Sequence, residues 1–133
     1  MTVIGLDVGE ARIGVAVSDP LKKIAQPRET IKRDEFSVRR LSELVCETGA
    51  ETVVIGLPLL LDGREGQQAR LTREFARELQ DVLDVPITFV DERLSTREAE
   101  AILARGRVKR ARKRSASDRV AAALILRAYL DGL

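Results

Sequence analysis

Histidine is absent from this 133-residue chain, which also has no tryptophan, one cysteine, one tyrosine and three phenylalanines. Without histidine there is no histidine general base, no Ser-His-Asp triad and no ordinary zinc site. Any metal site must use oxygen donors, which selects Mg²⁺ or Mn²⁺ over softer ions. The lone Cys46 excludes an intrachain disulfide, and its place in a helical pattern predicts a plain core residue. No apolar run reaches membrane-spanning length. The longest, Thr52–Leu61, is interrupted by Gly56 and Pro58. With no export signal before the first strand, the expected location is the cytoplasm.

What the chain does have is charge, unevenly placed. The 23 basic and 21 acidic residues nearly cancel, leaving a net +2. Yet Arg105, Arg107, Lys109, Arg110, Arg112, Lys113 and Arg114 crowd one short strip that holds no acid. With those seven set aside, the rest of the chain has 16 basic and 21 acidic residues, a net charge of −5. An acidic body with one basic strip predicts local contact with a polyanion, nucleic acid foremost. The bland alternative is a solvated loop. So few aromatics offer little base stacking, so such contact is expected to run through shape and backbone.

A hydrophobic content of 44% over 133 residues predicts a single domain, 1–133, with its own core. Thr2–Asp7 and Arg12–Ser18 read as a hairpin. Ile24–Ile31, with Pro27 inside it, reads as an edge strand. Asp34 is expected to cap a helix over Glu35–Glu47, ended by Gly49, with Val38, Leu41 and Val45 inward. Thr52–Leu57 has the continuous apolar character of a strand covered on both faces. A helix over Gln67–Leu83 carries Leu71, Phe75, Leu79 and Leu83, and Pro86–Val90 forms another strand. Ser95–Glu98 matches a capping box before a short helix with Ala99, Ile102 and Leu103. After the basic strip, read as a loop, Ser115 or Ser117 caps a last helix with Ala121, Leu124, Ile125 and Ala128 on one stripe. Strands and helices in this order imply an α/β domain of three layers, a mixed sheet with helices on both faces.

Three acids stand where chemistry could use them. Asp7 closes the first apolar strand, where a carboxylate is costly to desolvate without a cationic partner. Glu92 follows another strand, and Asp118 falls at the expected start of the last helix. Strand alternation puts Val3, Gly5 and Asp7 on one face and makes Asp91 and Glu92 point apart, so at most one of that pair enters a common site. Each acid alone has an ordinary structural reading: turn hydrogen bonds for Asp7, an ion pair with Arg93 or Arg12 for Glu92, a helix-dipole interaction for Asp118. Converging, the three would need divalent cations to coexist. Two Mg²⁺ or Mn²⁺ ions on such a set can hydrolyse phosphodiesters without histidine. Arg12, Arg64 and Arg93 are candidates for phosphate contact, each equally suited to a structural ion pair.

The chain resembles the YqgF/RuvX-type ribonuclease H-like nucleases, a family associated with Holliday junction resolution and with processing of the small-subunit ribosomal RNA precursor. The resemblance spans nearly the whole chain. It rests on Gly5-Leu6-Asp7-Val8-Gly9 with Arg12–Asp19, on Gly56-Leu57-Pro58 with Asp62-Gly63 and Glu65-Gly66, on Asp91–Thr96, and on Asp118 before Ala121-Ala122 and Ile125-Leu126. It implies a ribonuclease H-like fold with a five-stranded sheet and an acidic site of Asp7, Glu92 and Asp118. It also implies cleavage of structured RNA or branched DNA. Leu60 and Arg64 depart from the family's usual asparagine and threonine near the active edge. Processing of the 5′ end of the ribosomal RNA precursor is the expected role. Junction resolution in recombination and repair, or nucleic-acid binding without catalysis, are the alternatives, by a monomer or homodimer. An actin/hexokinase-type phosphotransferase shares the opening strand-turn-strand, but it needs a second lobe.

Overall fold

A computed structural model describes residues 1–92 and 110–133, the side chains of 110–117 excepted. Three antiparallel strands open it: β1 (Thr2–Val8), β2 (Arg12–Ser18) and β3 (Ala25–Lys32). Helix α1 (Ser37–Thr48) leads to β4 (Ala50–Leu57), and α2 (Gln67–Gln80) leads to β5 (Ile87–Asp91). β4 pairs in parallel with β1 on one side and β5 on the other, so the five-stranded mixed sheet runs β3-β2-β1-β4-β5. Helix α3 (Arg110–Asp131) completes the described residues. None of the described helices is long and apolar enough to cross a membrane.

Alternation along the strands sorts the core into two clusters. One face buries Ile4, Leu6, Val15 and Ile55 against Leu41 and Leu44 of α1 and Phe75 and Leu79 of α2. The opposite face buries Val3, Ala16 and Val54 against Ala122, Ile125 and Leu126 of α3. β4 lies beneath both, which is why it is apolar from Val53 to Leu57 and buried at nearly every position. The expected three-layer α/β arrangement is therefore present. β3 is the exposed edge, and its Pro27 sits where the register with β2 slips between Val15 and Ala16.

Several local expectations are corrected. α1 starts at Ser37 without a side-chain cap. Asp34 instead shapes the turn before it, its Oδ1 accepting the Phe36 N–H at 2.8 Å while Ser37 Oγ accepts the Asp34 N–H at 2.8 Å. Gly49 does end the helix, left-handed at φ 67°. Cys46 is exposed, not a core residue. The buried stripe of α1 runs through Ser37, Leu41 and Leu44, and Cys46 falls on the outward side. α2 stops at Gln80, although Leu83 is still buried beyond it. α3 begins at Arg110, so Arg110, Arg112, Lys113 and Arg114 lie in its opening turns, not in a loop. Ser115 and Ser117 lie inside it, so neither stands at the N-cap position expected for them. Arginine, lysine and alanine are strong helix formers, and they carry the helix back through the strip. The capping box at Ser95 and the helix expected after it lie outside the described residues.

Candidate metal and nucleic-acid site

β1, β4 and β5 run in the same direction, so their carboxyl ends share one edge of the sheet. Asp7 is near the end of β1 and shares the face of Val3, which packs against α3. β5 ends at Asp91, paired with Leu57, and Glu92 follows at once. Glu92, the acid on the α3 face, hydrogen-bonds with Asp7. Its carboxyl carbon would lie 3.5 Å from a Cβ placed on Gly56, so a glycine at the end of β4 leaves the carboxyl its room.

Asp118 arrives by a different route. It is the ninth residue of α3, well inside the helix, so the dipole reading of a helix-start carboxylate does not apply. Its backbone rests on Gly14 of β2, where a Cβ would come within 1.9 Å of the Asp118 carbonyl oxygen. Gly14 is the cross-strand partner of Asp7. The same end of the sheet thus receives all three acids.

Their electrostatics follow from this placement. Burial pushes the Glu92 carboxyl up to about 9, helped by its hydrogen bond to Asp7 and the Asp7 charge. Burial is also the main reason the Asp7 carboxyl is raised; the Glu92 hydrogen bond pulls it down and the charge of Asp118 pushes it up. The raised Glu92 carboxyl favours its protonated form, in which it donates to Asp7. Asp118 is engaged elsewhere: Arg12 Nε donates to its Oδ2 at 2.7 Å. Among the described residues, no three acids are drawn tightly enough to clasp one ion as they stand. The donor set nevertheless suits a hard divalent cation, because two touching carboxyls that share a proton are a place where a cation can replace it.

A frame that sequence reading did not find holds the turn beside Asp7. The Gly9 N–H donates to the Arg12 carbonyl at 2.8 Å. Arg33 Nη1 donates to the Gly9 carbonyl at 2.8 Å, and the Arg33 N–H donates to the Ala11 carbonyl at 2.9 Å. The Arg33 guanidinium also lies over the Phe75 ring, 5.2 Å from its centroid. From α2, Gln68 Nε2 donates to Glu10 Oε1 at 2.8 Å. In sequence Arg33 looks like one more surface cation in Lys-Arg-Asp, and only its position just after an edge strand hinted otherwise.

The phosphate candidates divide. Arg12 reaches the acidic edge. Arg64 is on the loop after β4, exposed, and its Nε donates to Asp62 Oδ2 at 2.6 Å within that loop. Arg93, Arg105, Arg107 and Lys109 lie outside the described residues. Arg110, Arg112, Lys113 and Arg114 belong to the helix that carries Asp118. Leu60, the departure from the family pattern, packs on Gly66 beside the exposed Leu61.

Comparison with known proteins places this architecture. Residues 1–132 match the model of the RuvX family, described as Holliday junction resolvase. A relative from Syntrophomonas wolfei, named "Putative pre-16S rRNA nuclease", is 44% identical over 134 residues, covering 99% of this chain and 95% of its own. One of the same name from Cereibacter sphaeroides is 47% identical, covering 98% and 83%. Among solved structures, RuvC of T. thermophilus in complex with a Holliday junction superimposes with a TM-score of 0.56 at 16% identity, covering 94% of this chain and 91% of that one. The fowlpox virus Holliday junction resolvase gives 0.57 at 12% identity, over the full length of both chains. At such identities the structural likeness speaks for the fold, which is ribonuclease H-like, and the match along residues 1–132 shows that the chain belongs to the RuvX family.

Proposed function

We propose that the chain is a divalent-metal-dependent nuclease of the cytoplasm that hydrolyses phosphodiester bonds in structured RNA, processing the 5′ end of the small-subunit ribosomal RNA precursor. One observation carries the catalytic part: Asp7 and Glu92 touch, and Asp118 rests on the strand residue paired with Asp7. In this reading the three carboxylates hold Mg²⁺ or Mn²⁺, which supplies Lewis acidity at the scissile phosphate and acidifies the attacking water. The chain's own residues do the rest. Asp7 and Glu92 would hold the cation where they now share a proton, Arg33 and Gln68 hold the neighbouring turn, and the sheet edge presents the acids to the substrate. The basic run of α3, with Arg12, Arg64, Arg93, Arg105, Arg107 and Lys109, engages the phosphate backbone and makes binding salt-dependent. The RNA role is favoured by the names of the full-length relatives.

A four-way DNA junction is the second substrate, favoured by the description of the family model. Symmetric cleavage there calls for a two-fold dimer, whereas a monomer suffices for RNA. The deciding assay incubates the protein with Mg²⁺ or Mn²⁺ and each of three substrates: RNA with a 5′ precursor extension, a four-way junction, and an unstructured strand. The Asp7→Asn protein is the control. Cleavage of the RNA, abolished by chelator and by Asp7→Asn, supports the reading. Junction cleavage alone transfers the role to DNA. A protein that binds but never cuts would make the chain a scaffold.

A further inference from the structure

Arg12 and Asp118 are 106 residues apart in sequence, yet their side chains meet at 2.7 Å beside the Asp7–Glu92 pair. Both backbones are fixed. Arg12 opens β2 opposite Lys32, and its carbonyl accepts the Gly9 N–H of the turn. Asp118 is seated on Gly14. The side chains are less constrained: 39% of the Arg12 side chain and 22% of that of Asp118 are exposed. A partly exposed ion pair of this kind is modest in strength and can be opened by a stronger cation. A guanidinium and a divalent ion on the same carboxylate repel each other, so each weakens the other's hold on it.

We propose that Arg12 is an internal counter-ion of Asp118 which a divalent cation displaces, and that the displaced guanidinium then binds a phosphate of the nucleic acid. The inference rests on the metal site proposed above and adds to it a link between ion loading and substrate capture. The planar fork of arginine suits both partners, carboxylate first and phosphate second. Swinging from one to the other needs only side-chain rotation about a fixed strand.

The rival role for Arg12, orienting Asp118 toward the ion, predicts a change of opposite sign, which makes the test decisive. The full chain is freed of metal by chelator, and Mn²⁺ is titrated by calorimetry into wild type, Arg12→Gln, Arg12→Lys and Asp118→Asn. Loss of a competitor of this strength gives Arg12→Gln a Mn²⁺ affinity about three- to fivefold tighter than wild type at low salt. The gap closes at about 0.5 M KCl, where the wild-type pair is screened. Arg12→Lys keeps the charge and stays near wild type, which guards against a folding defect in the glutamine variant. Equal or weaker Mn²⁺ binding by Arg12→Gln overturns the displacement role. Unchanged Mn²⁺ binding by Asp118→Asn would instead sink the proposed metal site itself. For the second step, RNA binding is followed by anisotropy in Mn²⁺ with a cleavage-resistant, backbone-modified RNA, so that all three acids stay in place. Arg12→Gln lowers the slope of log affinity against log salt by about 0.7–0.9, one phosphate contact. An unchanged slope removes the phosphate step.

Discussion

Replacing Glu92 by glutamine should stabilise this protein while destroying its proposed activity, and the gain should depend on pH. The Glu92 carboxyl is raised from 4.5 to about 9 and the Asp7 carboxyl is raised as well, chiefly because both are buried. A carboxyl whose value is higher in the folded chain is harmless below about pH 4.5, where folded and unfolded forms are both protonated. As pH rises, the unfolded chain releases protons that the folded site retains, and stability falls steadily until about pH 9. Taken in full, a shift of that size has a ceiling of roughly 6 kcal/mol at 1.36 kcal/mol per unit. The site is half-buried at the sheet edge, so water access and relaxation reduce the realised cost to about 2 kcal/mol.

Glutamine keeps the volume and still donates to Asp7, but it cannot ionise. Calorimetric scans in chelator at pH 8 should therefore show Glu92→Gln melting about 6 °C above wild type, from about 3 °C per kcal/mol for a domain of this size. At pH 4.5 the two should melt together. Adding Mg²⁺ should raise the wild-type midpoint at pH 8, because the ion binds the folded form, and should raise that of the variant far less. A variant that melts at or below wild type at pH 8, or whose advantage is the same at both pH values, would refute the shared-proton account.

Three further outcomes test the frame around the acids. Arg33→Met removes the donor to the Gly9 carbonyl and the stack on Phe75. A charged hydrogen bond of about 2 kcal/mol is lost, and kcat should fall roughly tenfold with KM little changed; a change confined to KM would assign Arg33 to substrate binding. Gly14→Ala forces a methyl group into the Asp118 carbonyl, which neither the interior strand β2 nor the helix can relieve by side-chain motion. It should cost about 3 kcal/mol in urea unfolding, and a neutral result would mean that α3 does not rest there. Changing Arg110, Arg112, Lys113 and Arg114 together to alanine should lower the salt slope of RNA binding by about 3, with kcat at saturation preserved; an unaltered slope would place the phosphate contacts elsewhere.

How much of this was legible depended on whether the controlling interaction was local. Alternation put Asp7 on the face of Val3 and made Asp91 and Glu92 point apart, and the fold then turns the Val3 face and Glu92 toward α3. The continuous apolar run of β4 marked a strand covered on both faces, and the two core clusters do flank it. The depth of Asp118 in α3 was not legible. Residues 110–117 have helix-forming side chains but no apolar period, so a reading keyed to hydrophobic spacing starts the helix too late. Cys46 was misplaced by a smaller step. It follows Val45, which packs on the core, and one residue of a helix turns a side chain by about 100°, enough to carry it from core to solvent.

The contacts that define the candidate site's chemistry are separated by 24 residues for Arg33 and Gly9, 58 for Gln68 and Glu10, and 106 for Arg12 and Asp118. Nothing near any of these residues in sequence encodes its partner. Arg12 shows the consequence most directly. As a residue type near a carboxylate-rich motif it reads equally as a phosphate ligand or as an ion-pair partner. The fold gives it Asp118 as a partner and leaves its side chain partly exposed, a geometry in which the two roles become successive states of one side chain. Residue type supplied the candidates, and topology turned the choice between them into an order of events.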